Sequence, residues 1–499
     1  MERGWQRRAH STGAAHRTTQ EPRLAAPSHP TPSIRFGTDG WRARIADQFT
    51  FENVRACADG LARYIIANGQ ASKGAVAGFD TRFLSDKFAA TVADVLASRG
   101  VPVSLFDRPA PTPACSLAVK QLGAAAGAMI TASHNPAHDN GFKVKWSAGG
   151  SAPPEMVAAI EAEVYKVLAG QAPAINAPRA IVTNFNPVVP YIAQLERVVA
   201  TQRLRDAPLK IIVDAMHGTG AGILPAILKG GRVQITEIRS EHNPAFPGMQ
   251  QPEPVEHNLA PLINEVRQAK ADVGIALDGD ADRVGIVSEQ GVYFSTLEVF
   301  SLLTHHLWAR RNEHGGVACT ITQSSMLDRL AGKYGRKVER TAVGFKFVGP
   351  AMIANDCALG GEESGGYAFR GHIPERDGSL SGMLFLEAMV MSGKKPSALL
   401  EELHTITGPH AFRRIDLQFD EAKRDAVAAR MKESSPESLG GLGVTSADRR
   451  DGVRFNLAGD AWAVARLSGT EPLVRLYAEA PATAARDRVL ADLRRLLGV

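Results

Sequence analysis

Residues 271–287 read ADVGIALDGDADRVGIV: an apolar run, three acids in five positions, and a second apolar run. Runs of four or five apolar residues are too short for a helix and suit buried strands. The stretch therefore reads as strand, acidic loop, strand. Working outward, LKIIVDAMHGTGAGILPAIL (209–228) is a strand that ends at Asp214 and turns through glycines into a helix. AVAGF (75–79) is a third short buried strand, ending at Asp80, and another at 101–106 leads through RPAPTP toward a polar loop. After Pro153-Pro154, the apolar positions Met156, Val157, Ile160, Val164, Val167 and Leu168 keep helical spacing, with proline suited to a first turn. Strands alternating with helices imply α/β layers, in three similar units without a detectable sequence repeat. Polar groups at strand C-terminal ends are where such layers build ligand sites.

From about Phe412 the texture changes. It reads as a strand, a helix over 421–434, strands around 453–457, 461–467 and 473–479, and a terminal helix over 483–497, hence a smaller α+β domain. The expected boundaries are a disordered extension at 1–33, α/β units at 34–185, 186–291 and 292–405, and the α+β domain at 406–499. The extension is rich in Pro, Ser, Thr and Arg without apolar periodicity. Its acid-poor, Arg-rich character has something of a transit peptide, but a plain disordered extension is the preferred reading.

The net charge is +5, and five Arg against two Glu in residues 1–33 account for +3 of it. The remaining excess is too small to indicate a nucleic-acid binder on net charge. No apolar run approaches the roughly 20 residues of a membrane helix. Cys57, Cys115, Cys319 and Cys357 are scattered without a CxxC pair, which suggests a reducing, cytoplasmic setting.

Four polar loops hold the groups for chemistry. In LDGDADR, Asp278, Asp280 and Asp282 alternate with small residues, so three carboxylates can converge on one hard cation, and Mg²⁺ is the favoured reading, with Arg283 beside it for a phosphate. An Asp-Gly turn is the plainest alternative. An EF-hand fits less well, because Arg283 stands where its glycine belongs and the flanks read as strands. A phosphatase loop with Asp278 as nucleophile would leave the other loops without work. AMITASHNPAHDNGFKV (128–144) offers Ser133, His134 and Lys143. Ser133 is either the cap of a helix with Pro136 in its first turn or a phosphoryl carrier. GGEESGGYAF (360–369) presents Glu362, Glu363 and Ser364, groups suited to adjacent sugar hydroxyls, and GHIPERDGS (371–379) adds His372, Arg376 and Asp377. RLSGTEPLVRLYAEA (466–480) sets Arg466, Ser468, Gly469, Thr470 and Arg475 around a loop between strands, either a phosphate cradle or an unremarkable hairpin. RFGTDGWRARI (35–45) contributes Arg42 and Arg44.

Taken together and in this order, TASHNP, DGDADR, GEESGG and RLSGTEP resemble the α-D-phosphohexomutase family, with lesser matches at FGTDGWR, NGFK and TAVGFK. The resemblance runs from about Ile34 to Val499. It implies three related α/β domains with mixed sheets and a smaller C-terminal α+β domain around one cleft. It implies that Ser133 is carried as phosphoserine and that Asp278, Asp280, Asp282 and a phosphoserine oxygen hold Mg²⁺. Glu362, Ser364, His372 and Arg376, with Thr341 and Gly344 of TAVGFK, are then expected to bind substrate. Arg466, Ser468, Gly469, Thr470 and Arg475 are expected to grip the phosphate that is not reacting. Arg42 and Arg283 supply positive charge, and Lys143, then His134, is the candidate for moving the hydroxyl proton or stabilising charge.

The histidine of the family patterns GEMSGH and GEQSGH is replaced here by Gly366. GEESGG followed by GHIPERDG looks more like a bacterial-type phosphoglucomutase, which implies glucose 1-phosphate and glucose 6-phosphate with glucose 1,6-bisphosphate as intermediate. Mannose phosphates, or dual specificity, come second, and a non-catalytic sugar-phosphate-binding homologue third. The expected partners are small hexose phosphates, without nucleic acid or membrane, for a monomer or homodimer.

Overall fold

The computed structural model describes residues 34–37, 39–468 and 473–499. The extension expected at 1–33 lies outside the described residues, as do Gly469 and Thr470 of the cradle. Four sheets follow one another along the chain. In the first, Ala75–Phe79 runs parallel to Val103–Phe106 on one side and to Ala126–Ile130 on the other, and Asp139–Trp146 returns antiparallel beyond Ala126–Ile130. The second repeats this with Lys210–Asp214 between Gln234–Ile238 and Val273–Leu277, and Val284–Ser288 returning. The third repeats it again with Val317–Thr320 between Val338–Thr341 and Leu359–Gly361, and Tyr367–Phe369 returning. The central strands are buried on both faces, which is why they read as unbroken apolar runs rather than alternating ones.

The helices between strands start where the local chemistry stops a strand. Thr50 caps Phe51–Ala67 by accepting the Asn53 amide, and Ser295 with Glu298 forms a capping box on Thr296–Ala309. Pro154 opens Pro154–Leu168, as its spacing predicts.

The fourth sheet is antiparallel, in the order Ala411–Gln418, Leu473–Ala480, Trp462–Leu467, Val453–Leu457, Leu442–Asp448, Ser438–Leu439. Thr483–Leu497 packs on it, with a core of its own separate from the core shared by the first three sheets. A small apolar cluster of Leu297, Ile321, Trp462, Val464 and Tyr477 joins it to the third unit. The helix expected at 421–434 begins later, as Arg424–Glu433, because Asp420 first caps a single 3₁₀ turn at Glu421–Lys423. No helix among the described residues is long and apolar enough to cross a membrane.

Candidate active site

The shared topology gives three loops one equivalent position, between the third strand of each unit and the strand that returns beside it. These are the Ser133, triple-aspartate and Glu362 loops. The first holds no helix, so Ser133 is not a cap: turns run from Ala132 to Asp139, where the returning strand begins. Ser133 is non-glycine in the left-handed region, at φ 51°. Its Oγ donates to Asp278 Oδ2 at 3.0 Å, across 145 residues of chain. A Cβ at Gly279 would lie 2.7 Å from the Ser133 carbonyl oxygen, so the glycine between the first two acids is what lets the loops touch.

Asp278, Asp280 and Asp282 are fully buried, with ligand oxygens all within 4.8 Å of one another. The flanking strands are antiparallel, which removes the EF-hand reading, and Glu289 instead accepts from Ser397. Asp280 Oδ2 accepts from Thr112 at 2.5 Å and Lys143 at 2.9 Å, and Asp282 Oδ2 lies 2.8 Å from Arg376. Asp280 Oδ1 and Asp282 Oδ1 are buried and accept no hydrogen bond among the described residues. Hard oxygen donors left unsatisfied beside a third carboxylate fit Mg²⁺. Burial, then Asp282 and Asp280, push the Asp278 carboxyl well above the ordinary carboxylate range.

Lys143 is fully buried, and burial opposes its charge. Asp280, Asp39 at 2.8 Å and Asp282 outweigh that and hold its pKa above the ordinary lysine value. His134 Nδ1 is 3.4 Å from Ser133 Oγ. Burial first, then Arg283, Arg42, Lys143 and Arg82, keep the ring well below its usual pKa and therefore neutral. Arg42 donates to Asn135 Oδ1 at 2.7 Å and Arg283 to Glu253 at 2.7 Å, whereas Arg44 is exposed at a strand end.

Arg376 ties the loops together. It pairs with Asp282, with Asp39 and, at 3.3 Å, with Glu362, and its guanidinium lies 5.5 Å from the centre of the Phe345 ring. A Cβ at Gly366 would fall 2.3 Å from Arg376 Cδ, so a side chain at 366 and this arginine exclude one another. Ser364 Oγ is buried with no hydrogen-bond partner among the described residues. His372 is held differently: its Nε2 is 3.0 Å from Asp377, which also accepts from Tyr191 and caps Gly378–Ser392. Thr341 ends a strand and Gly344, at φ 130°, precedes Phe345–Ala354.

On the fourth sheet, Arg466 and Arg475 are direct cross-strand partners. Arg466 Nε is 2.8 Å from Asp451, whose carboxylate also takes the Val343 amide at 2.8 Å and so links the TAVGFK turn to the Arg466 strand. The Ser468 amide donates to the Leu473 carbonyl at 2.8 Å, and its own carbonyl accepts from Arg424 at 3.0 Å.

Sequence reasoning passed over Asp39, Thr112, Glu253, Asp451 and Arg82. Asp39 lies inside FGTDGWR and could have been singled out with Arg42. Thr112 lies inside RPAPTP and Arg82 two residues beyond Asp80 at a strand end, while Glu253 and Asp451 have no such pattern to mark them.

Four family models, describing phosphoglucomutase/phosphomannomutase α/β/α domains I, II and III and the C-terminal domain, match residues 33–169, 189–291, 298–406 and 417–496. The chain belongs to the phosphoglucomutase/phosphomannomutase family, whose members are phosphohexomutases. A phosphoglucomutase/phosphomannomutase of Thermococcus kodakarensis is 30% identical over 445 residues, 89% of this chain and 94% of its own. A phosphoglucosamine mutase of Jannaschia sp. is 30% identical over 471 residues, 92% of this chain and 97% of its own. A solved structure from Thermus thermophilus, assigned as a phosphomannomutase, superposes with a TM-score of 0.80 at 34% identity, covering 93% of this chain and 99% of that one.

Proposed function

We propose that this phosphohexomutase is a phosphoglucomutase, interconverting glucose 1-phosphate and glucose 6-phosphate through phosphoserine at 133 and a glucose 1,6-bisphosphate intermediate. The observation that carries the reading is the Ser133 Oγ hydrogen bond to Asp278, beside two buried carboxylate oxygens left unsatisfied. Asp278, Asp280, Asp282 and a phosphoserine oxygen would hold Mg²⁺, which supplies positive charge to the phosphoryl oxygens when bound. The substrate hydroxyl oxygen bonds to phosphorus as the bond to Ser133 Oγ breaks. One proton leaves that hydroxyl and one returns to Oγ. His134, neutral and beside Oγ, suits the proton transfer. Lys143, fixed as a cation by three carboxylates, suits charge stabilisation. Glu362 and Ser364 take the sugar hydroxyls, and Arg466 and Arg475 grip the distal phosphate in either orientation of the bisphosphate. The proposal includes a cytoplasmic setting, supported by four buried, free thiols.

Glucose is favoured because Gly366 and Arg376 together form the GEESGG–HIPERDG arrangement, in which the arginine fills the space a histidine at 366 would take. The test is kcat/KM on glucose, mannose and glucosamine 1-phosphates with the matching 1,6-bisphosphate. Glucose should exceed the others by at least about tenfold, the low end of the discrimination that a one-group difference between substrates gives. Comparable rates would defeat the sugar assignment, and a Ser133→Ala enzyme with undiminished turnover would defeat the carrier.

A further inference from the structure

We propose that Arg82 is a positioning residue for phosphoryl transfer: its guanidinium locks the backbone of the Ser133 loop and so aims Oγ at the triple-aspartate loop. The inference rests on Ser133 being the phosphoryl carrier.

Arg82 follows the first central strand, Ala75–Phe79, and is 3% exposed. Its Nη1 donates to the carbonyls of Pro136 at 2.8 Å and Asp139 at 3.0 Å. Its Nη2 donates to the carbonyls of Ser133 and Asn135, both at 2.6 Å. Four carbonyls of the 133–139 loop thus turn inward onto one cation. The fork itself is fixed. Asp80 Oδ2 lies 3.3 Å from Nε, while Asp80 Oδ1 accepts the Arg82 amide at 2.9 Å and Ser85 Oγ at 2.7 Å. The Phe246 ring, from the second unit, lies 5.1 Å from the guanidinium carbon.

The loop needs this hold. A non-glycine residue at positive φ persists only where its surroundings over-determine it. Here the Ser133 amide is held by Thr131 Oγ1 at 2.8 Å and its carbonyl by Arg82, with Gly279 packed against the same carbonyl. No hydrogen bond runs from Arg82 to Ser133 Oγ or to Asp278, Asp280 or Asp282 among the described residues, so it acts through the loop rather than on the reacting atoms. A lysine keeps the charge but offers three donors from one nitrogen, which cannot span four carbonyls as the planar fork does.

The test uses the full chain with Arg82→Lys, Thr131→Val, their combination, and Ser133→Ala as reference. Arg82→Lys should lower kcat at least about 100-fold, the scale of small misplacements of reacting groups. KM for the sugar phosphate should stay within about threefold, because binding energy from the sugar loop and cradle is untouched. The rate at which glucose 1,6-bisphosphate phosphorylates Ser133, followed by intact-protein mass, should fall in parallel. The double variant should lose less than the product of the single losses, since both act on one backbone segment. Wild-type kcat and phosphorylation rate in Arg82→Lys, or losses explained by a smaller folded fraction, would overturn the inference. Should Arg82→Lys not fold, Thr131→Val decides: a tenfold or greater fall in kcat at unchanged KM supports the proposal, and wild-type kcat overturns it. An active Ser133→Ala enzyme sinks the carrier reading itself, whereas an inactive one beside an unimpaired Arg82→Lys sinks the clamp alone.

Discussion

Glu362 has a guanidinium 3.3 Å away, yet burial wins and its carboxyl is pushed up to about 7, with Arg376 opposing and Glu363 adding to the rise. Only the ionised form accepts from two sugar hydroxyls at full strength. Between pH 5.5 and 8.5, kcat/KM should therefore climb about tenfold per unit and level off above about 7. Glu362→Gln should abolish that inflection and raise KM about 10- to 100-fold, the worth of one or two charge-assisted hydrogen bonds. The stability sign is opposite. A carboxyl whose pKa is raised on folding contributes stability that is full below its ordinary 4.5 and lost as pH rises through 7. Thermal melts should thus show the glutamine variant gaining on the parent across that window. A flat kcat/KM profile in the parent would remove Glu362 from sugar binding.

At the scale of elements, the Arg466–Arg475 pair shows what a strand register can store. Like charges directly opposite on neighbouring strands repel, and Asp451 on one side with Asp416 at 3.7 Å on the other offset this only in part. A bound phosphate dianion turns the repulsion into two attractions. Inorganic phosphate at about 100 times its Kd should stabilise the parent by about 2.7 kcal/mol, and Arg475→Gln should lose most of that shift. KM of the same variant should rise about 10- to 100-fold with a smaller change in kcat. An unaltered phosphate shift in the variant would show that the register does not make a cradle. The strands of this hairpin were legible in the sequence because each is a short, largely apolar run, WAVARL and LVRLYAEA, on either side of a Gly- and Pro-containing loop. Leu442–Asp448 was not, since most of its residues face solvent. Trp41–Arg44 likewise offered only four residues, two of them Arg. The repeated strand order of the three α/β units was hidden because it is written in which strands pair, over long separations, and not in residue identity. The triple-aspartate, Glu362 and Ser133 loops stood out for the opposite reason: each concentrates polar groups within a few residues. Arg82 and Asp451 act alone in the chain and gain meaning only from what folds against them.

Across the whole molecule, the acid loop of the second unit meets the serine loop of the first, and Arg376 of the third reaches the acid loop through Asp282 and the first unit's FGTDGWR stretch through Asp39. Charge at that junction is a property of the assembled chain. Asp280 and Asp282 face Lys143 and Arg376, whereas Asp278 has neither cation beside it, and burial with Asp282 and Asp280 raises its pKa well above the ordinary carboxylate range. Any dication that enters must displace the Asp278 proton, so Mg²⁺ affinity should strengthen with pH, by up to about tenfold per unit while Asp278 is protonated. In metal-free protein the raised Asp278 pKa contributes stability at low pH that is lost as pH rises, and bound Mg²⁺ should remove that loss. Chelation should therefore abolish turnover and lower Tm, by more as pH rises through the Asp278 titration, with re-addition restoring both. Asp278→Asn should be inactive, and titration of Mg²⁺ by calorimetry should show a weaker affinity with little pH dependence. Turnover that survives exhaustive chelation, or a parent chain that shows no Mg²⁺ binding by calorimetry, would separate the acid loop from the metal and leave the contact between position 133 and Asp278 as a structural hydrogen bond.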